Sequence, residues 1–426
     1  MNKEAKVMRQ DALWNMMKYA CSFLAVMVIG SLLILWQGEN PATAMKYILQ
    51  GAFGSIRNFG NTLRWITPCI LTGIAATIAF KSGVMNLGIE GQLYFGAYAA
   101  ALFGFYVHLP KALHVTGCLL AAGIAGMLFA LIPAVMKLTF HVNEMITTLM
   151  LNYIAVLLTE YFTYIVMGIS AAGDSLALST PPIADTARLT NLIPKTNAST
   201  GVLIAVALVI VIFMVYRYTV IGYELKQVGE NRRFARIGGV NVTKTFLAIF
   251  LLSGFVAGLC GSIEVQGTYG KFTASFSNNL GWDGIMIAMI AGNHPITVLG
   301  VAVIWGILKA GSLHMERMCD VNRLTVLLIQ ALFVLFITVD YRKLFGAGGI
   351  MLSILLGTIT MAAALRLAVP LILSSIGGCF GDRTGIFNIA LESFMLCAAF
   401  FATLGTYYSG NPYTGVFCGI LAGLAC

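Results

Sequence analysis

The sequence predicts an all-α, polytopic membrane protein, on three observations. Of its 426 residues 59% are hydrophobic and only 10% are charged, whereas a water-soluble domain carries about 25% charged residues. Charge-free apolar runs fill residues 19–38, 115–136, 196–216, 245–263, 284–308 and 344–365, and a hydrocarbon layer about 30 Å thick needs about 20 such residues per helical span. The 45 Gly against 10 Pro suit helices whose backbones approach closely in lipid. A water-soluble globule, a disordered chain and a collagen-like fibre are excluded.

The charges set an order for the elements. Lys and Arg collect on the cytoplasmic side of membrane proteins, so the formal net charge of +9 is read as an orientation signal and not as a nucleic-acid footprint. The first 18 residues carry both charge signs and precede an apolar run without a small-residue cleavage pattern. They predict a first anchor with a cytoplasmic N-terminus. That helix leaves at Lys18 and ends near Glu39. Residues 63–81 return, 84–108 go out, the next span comes in to Lys137 and His141, and 145–169 go out again. Residues 170–199, with Pro181 and Pro182, form an external segment before a span over 202–216. Residues 217–244 hold six basic and two acidic residues and are cytoplasmic. Residues 246–263 go out, 280–291 and 296–311 form a pair broken at Asn293-His294-Pro295, and 324–339 end inside at Arg342 and Lys343. About ten crossings result.

Residues 63–100 recur without gaps 302 positions later, at 365–402. Leu63, Arg64, Pro68, Ile70, Leu71, Ile74, Gly83, Asn86, Glu90, Ala97 and Ala100 are identical in their partners, and Lys81 becomes Arg383. Charged and polar positions in register are not explained by shared hydrophobicity. The chain therefore reads as one complete unit, 1–345, followed by a truncated first part of a second, 346–426, with about two to three helices. The linker falls near 341–349.

Few residues offer chemistry. Asn86 and Glu90 share a face if 84–106 is helical, and they recur as Asn388 and Glu392. An intramembrane carboxylate faces either a wet cavity or a protein clamp, and both readings stand for Glu90. Asn152 and Glu160 lie within the next span but one, behind His141, Asn143 and Glu144, where Asn143 suits a helix cap. The break at Asn293-His294-Pro295 resembles the interrupted helices that line transport sites. The nine Cys are scattered, mostly in apolar runs, with no CxxC spacing, which argues against a zinc centre or disulfide framework. Gly270-Lys271-Phe272 is no phosphate loop, and neither HExxH nor GxSxG occurs. No metal and no cofactor are expected, and ATP hydrolysis, if it drives this protein, belongs to another chain. On these residues alone an ion-coupled transporter using Glu90 or Glu160, a membrane-embedded enzyme, and a truncated fusion unable to assemble stay open.

Four segments together carry a resemblance: VMNLGIEGQ at 84–92, HVNEMITTLMLNY at 141–153, VGEN at 228–231 with ARIGG at 235–239, and WDGI at 282–285 with NHP at 293–295. Residues 1–345 resemble the membrane permease subunit of bacterial ABC importers for nucleosides and simple sugars, in the branched-chain-type permease superfamily. Residues 351–426 resemble the start of the companion permease, although NIALES at 388–393 departs from NxGxEG at Ala390 and Ser393. The resemblance implies an ATPase subunit, a companion permease and an extracytoplasmic substrate-binding lipoprotein as partners in the lipid of the inner membrane, with no nucleic acid. It implies that Gly229, Glu230, Asn231, Ala235, Gly238 and Gly239 belong to a short cytoplasmic helix that docks on the ATPase. Asn86, Glu90, Asn152 and Asn293 are the expected solute-path residues.

Overall fold

A computed structural model describes residues 24, 26–167, 178–194, 196–319, 321, 325–326, 329–330, 332 and 391–425. Among them the chain is helical, and its extended pairs are two isolated bridges, Ser179–Thr273 and Asn191–Ser199. It divides into two compact units, Met1–Thr338 and Val339–Cys426.

The first unit runs α1 (Val26–Trp36), α2 (Pro41–Phe53), α3 (Ile56–Lys81), α4 (Ile89–Tyr106), α5 (Lys111–Phe140), α6 (Glu144–Met167), α7 (Gly201–Tyr218), α8 (Val220–Glu230), α9 (Arg232–Ile237), α10 (Val242–Glu264), α11 (Leu280–Ile290) and α12 (Pro295–Met318). Short polar side chains set the starts. Asn40 accepts from the Ala42 amide ahead of Pro41, Ser55 from Asn58, and Asn241 from Lys244, satisfying amides that a helix leaves unpaired. At the end of α5, His141 takes a left-handed φ of 57°, and Asn143 then accepts from Met145 at 2.9 Å as α6 begins.

Buried α10 organises the core. Its Gly254 and Gly258 face Gly126 and Ala122 of α5, and Gly258 and Gly261 face Gly96 and Ala97 of α4. Such close approach substitutes for the hydrophobic drive that lipid does not supply. α3 and α12 pack antiparallel, with Gly73 against Val298 at one level and Gly306 against Ile66 at another. The start of α12 therefore lies at the Lys81 end of α3. The outer faces of α5 (Leu113, Leu120, Ile124, Leu128, Ile132) and α7 (Leu203, Ile210, Val211, Met214) are exposed and aliphatic.

Six helices are long and apolar enough to cross a membrane: α3, α5, α6, α7, α10 with the π-turn Val265–Tyr269 that extends it, and α12. Each overlaps an expected crossing. Two expectations change. First, α4 starts only at Ile89, so Asn86 lies in the irregular segment before it and shares no helix face with Glu90. Second, α12 is a 24-residue helix and not a short half, and its break from α11 sits at the Lys81 level. α2 was not foreseen. The expected span 324–339 is described at a few residues, whereas Lys18, the linker 341–349, residues 344–383 and Asn388 lie outside the described residues.

The second unit holds α13 (Leu391–Ser409) and α14 (Pro412–Ala425). They fold back on each other at Gly410, φ +67°, with Gly405 facing Cys418 and Gly419 facing Ala398.

Candidate functional site

The charged stretch 217–244 folds into a knob beyond the Lys81 end. Asn231 ends α8 in an extended conformation and caps α9, its Oδ1 accepting from the Arg233 amide at 3.0 Å and the Phe234 amide at 3.1 Å. Leu225, Val228 and Ala235 are buried and anchor the knob. Leu225 joins a cluster with Val84, Phe246 and Phe250. The opposite side presents Glu230, Arg233 and Arg236 around two exposed apolar residues, Phe234 at 61% and Ile237 at 86%. Gly238 and Gly239 close α9, the latter at φ +85°.

Gly229 and Gly83 join this knob to the membrane layer. Gly83 has φ +68°, and a Cβ there would lie 2.9 Å from the Gly229 Cα. No other residue fits that approach without moving the knob. Arg232 donates to the Gly83 carbonyl at 3.3 Å and lies 5.7 Å over the Phe246 ring. Nearby, Lys137 and Glu144 pair at 2.6 Å across the α5–α6 turn.

Gly83 opens the segment that climbs back to α4, and side chains stitch this segment at every step. Asn86 Nδ2 donates to Gln92 at 3.1 Å and to Ser253 of α10 at 2.9 Å; its Oδ1 accepts from the Gly88 amide and from Gln92 Nε2. Ser253 Oγ donates in turn to the Ala75 carbonyl at 2.8 Å. Thr148 of α6 accepts from the Leu87 amide. Asn152 donates to the Leu87 carbonyl and accepts from the Gly91 amide, both at 2.8 Å. A helix that starts inside lipid cannot leave these groups to water. Replacing Asn152 by Ala strands one buried donor and one acceptor, at about 1–3 kcal/mol each. The expected result is a clear fall in the detergent melting temperature.

Glu90, buried in the first turn of α4, holds the next helix. Its carboxylate accepts from Ser277 Oγ and from the Gly281 amide, each at 2.5 Å, while Ser277 also accepts from the Leu280 amide. Glu90 thus sits at the positive end of α11. Beyond it lies a layer of buried ions. Arg64 of α3 donates to Glu264 of α10 at 3.0 Å and to Tyr269 at 3.1 Å, and Tyr269 donates to the Phe276 carbonyl. Lys309 of α12 pairs with Asp283 of α11, which also accepts from Trp305 at 3.1 Å. The Trp65 ring lies 3.8 Å from the Arg64 guanidinium and 5.0 Å from the Lys309 ammonium, favourable for both cations.

The predicted path residues therefore separate. Asn86, Glu90 and Asn152 converge on the start of α4, buried and hydrogen-bonded. Asn293 lies apart in the α11–α12 turn, at φ 57°, and its Oδ1 is buried without a partner in the structure. The ion layer was missed, although its signal was present: Glu264 directly follows the expected span 246–263, and Lys309 lies inside the expected span 296–311. Among the described residues no group of three His, Cys, Asp or Glu could hold a metal ion. Cys69, Cys118 and Cys260 are buried as free thiols.

The bundle thus combines two buried ion pairs, Arg64–Glu264 and Lys309–Asp283, a helix start inserted among other helices, and a polar knob braced against that insertion. Residues 58–337 match the family described as branched-chain amino acid transport system / permease component. The guanosine ABC transporter permease protein NupP of Bacillus subtilis is 33% identical over 75% of this chain and 92% of its own length. The glucose ABC transporter permease protein TsgB13 of Haloferax volcanii is 31% identical over 76% of this chain and 88% of its own. The nucleoside ABC transporter permease protein NupB of Lactococcus lactis is 26% identical over 74% and 88%. No solved structure matches. The chain belongs to this permease family. It is a transmembrane component of an ABC transporter, not an enzyme, and works with an ATPase and a substrate-binding protein.

Proposed function

We propose that this chain imports a nucleoside or a simple sugar and that the α8–α9 knob receives the work of ATP hydrolysis. The similarity to permeases named for guanosine, nucleosides and glucose supports the solute class. The observation that carries the coupling role is the brace of Gly229 on Gly83, which ties the knob to the inserted start of α4. Glu230, Asn231, Ala235, Gly238 and Gly239 shape and end the knob, leaving Phe234 and Ile237 for an ATPase groove. In this reading the Lys81 end and the N-terminus are cytoplasmic. An external lipoprotein delivers solute at the opposite end, and a companion permease completes the path in the lipid of the inner membrane.

Residues 346–426 are then the opening of a second permease unit. The positions the repeat preserves include Arg64, Gly83, Asn86 and Glu90, the residues that build the ion layer, the brace and the helix clamp of the first unit. Gly88 and Gly91 are replaced by Ala390 and Ser393. A Cβ on Gly91 would lie 3.0 Å from Ala155 and from Phe129, an approach that glycine keeps open in the first unit.

The test is uptake of radiolabelled guanosine and of glucose by vesicles bearing the assembled transporter. Uptake is expected to require ATP and to persist when a protonophore abolishes the proton gradient. Uptake that ignores ATP and collapses with the protonophore would overturn the proposal.

A further inference from the structure

The exposed face of α6 carries a carboxylate, whereas α5 and α7 contain no Asp or Glu. Along the middle of α5 and α7 the large outward residues are apolar, Leu120, Ile124, Leu128, Ile210, Val211 and Met214. On α6 a stripe at heptad spacing runs Ile146, Met150, Tyr153, Leu157, Glu160, Tyr164. The hydrophobic members are exposed, Tyr153 at 63% and Leu157 at 66%. Glu160 is half-buried and carries a charge into this stripe. It lies 16 residues from Glu144, roughly 24 Å along the helix. That places it inside a hydrocarbon layer about 30 Å thick, in the half far from the knob. A carboxylate there does not face lipid acyl chains; such groups face a wet cavity or a partner.

Among the described residues Glu160 forms no ion pair. It accepts one hydrogen bond, from Ser275 Oγ at 3.3 Å, whereas a carboxylate offers about four acceptor sites. Glu90, by contrast, is held by two bonds at 2.5 Å. Ser275 belongs to the loop that leads into α11, where Ser275, Asn278 and Asn279 all have positive φ, at 55°, 47° and 66°. Side chains rarely adopt that conformation, and it concentrates at functional segments. All three are exposed. The loop is held from behind, because Phe272 and Phe276 are buried against Tyr94 and Tyr98 and the Phe272 amide donates to Thr180 at 3.0 Å.

We propose that Tyr153, Leu157, Glu160 and Tyr164 of α6, with Ser275 and Asn278, form the water-filled wall that a neutral, hydroxyl-rich solute touches in transit, Glu160 accepting from a pair of its hydroxyls. Adjacent hydroxyls on a sugar ring match the two oxygens of one carboxylate, and tyrosine faces suit the apolar side of the ring. The solute class rests on the preceding reading; the wetness of the wall does not. The wall also touches the coupling chain, since the loop that carries Asn278 ends at α11, whose start Glu90 clamps to α4.

Single substitutions Leu157→Cys, Glu160→Cys and Asn278→Cys, with Ile210→Cys on α7 as the lipid-facing control, test this in the assembled transporter in vesicles. The probe is a charged, water-soluble methanethiosulfonate. The three wall positions are expected to react at least tenfold faster than position 210 and to be slowed at least threefold by saturating guanosine or glucose. Glu160→Gln is expected to raise the KM for uptake at least fivefold. Wall positions no faster than 210, whether covered by lipid or by the companion permease, overturn the proposal, as does protection by neither solute. Fast, solute-protected labelling in a protein whose uptake proves independent of ATP upholds the wall and overturns the preceding reading.

Discussion

Replacing Arg64 by Met is expected to be the most damaging single change to the fold. The Arg64 side chain is 9% exposed and that of its partner Glu264 only 2%, so the variant leaves a carboxylate in the core without its cation. Removing one member of a buried pair costs about 3–5 kcal/mol, because the remaining charge is uncompensated. The surroundings offer Glu264 no close replacement. Lys309 is committed to Asp283, and Tyr269 bonds Arg64 and the Phe276 carbonyl. Arg64 also stacks on Trp65, so the loss includes packing. The expected measurement is a large drop in detergent melting temperature and in the yield of monodisperse protein. The double variant Arg64→Met with Glu264→Leu is expected to recover much of it, since a buried pair can be exchanged for apolar residues at little cost. A single variant that melts with the natural protein would show that the layer does not hold α3 to α10.

Charge read along the chain served the helices well and the ions badly, for one reason. A Lys or Glu beside an apolar run marks a membrane surface when it is solvated, and Lys81 and the 217–244 stretch behave that way. Glu264 and Lys309 sit beside apolar runs too, but their partners, Arg64 and Asp283, are 200 and 26 residues away in sequence. Only the packing of α3, α10, α11 and α12 brings them together, and no local pattern reports that. The start of α4 failed similarly. Asn86 and Glu90 keep helical spacing, but Gly83, Gly88 and the hydrogen bonds from Thr148 and Asn152 hold the segment before Ile89 out of the helix. Both were singled out in the sequence because they recur 302 residues later. Their separate tasks, stitching an inserted segment and capping α11, were not. Glu160 was visible as a carboxylate within a span; its setting on an exposed stripe beside a strained loop needed the structure.

These contacts give the coupling proposal a mechanical form. From the knob, Gly229 meets Gly83. From Gly83 the chain passes through Asn86 and Asn152 to Glu90, and Glu90 holds α11 and the loop bearing Asn278. Every step is a packed or hydrogen-bonded contact within one unit, so a tilt of the knob has a solid route toward the far half of the bundle. Contiguity alone does not demonstrate coupling, and separating docking from transmission is the decisive experiment.

Ile237→Asp and Gly83→Ala are expected to make that separation. Ile237 is 86% exposed, and substitutions at such surface positions usually change stability by no more than about 0.5 kcal/mol. If Phe234 and Ile237 fill an ATPase groove, Ile237→Asp buries a charge at a docking anchor. Loss of such an anchor costs about 2 kcal/mol or more, equivalent to about a thirtyfold fall in affinity. The ATPase is then expected to be lost on purification, and ATP-driven uptake to fall at least tenfold. Gly83→Ala leaves the outer side of the knob untouched but forces a Cβ onto Gly229 at a backbone angle that disfavours side chains. The ATPase is expected to copurify as before, while solute no longer stimulates hydrolysis. Ile237→Asp with an ATPase still bound and uptake intact would remove the knob from the mechanism. Gly83→Ala with normal stimulation would remove the brace, leaving docking and inserted helix as independent features of the fold.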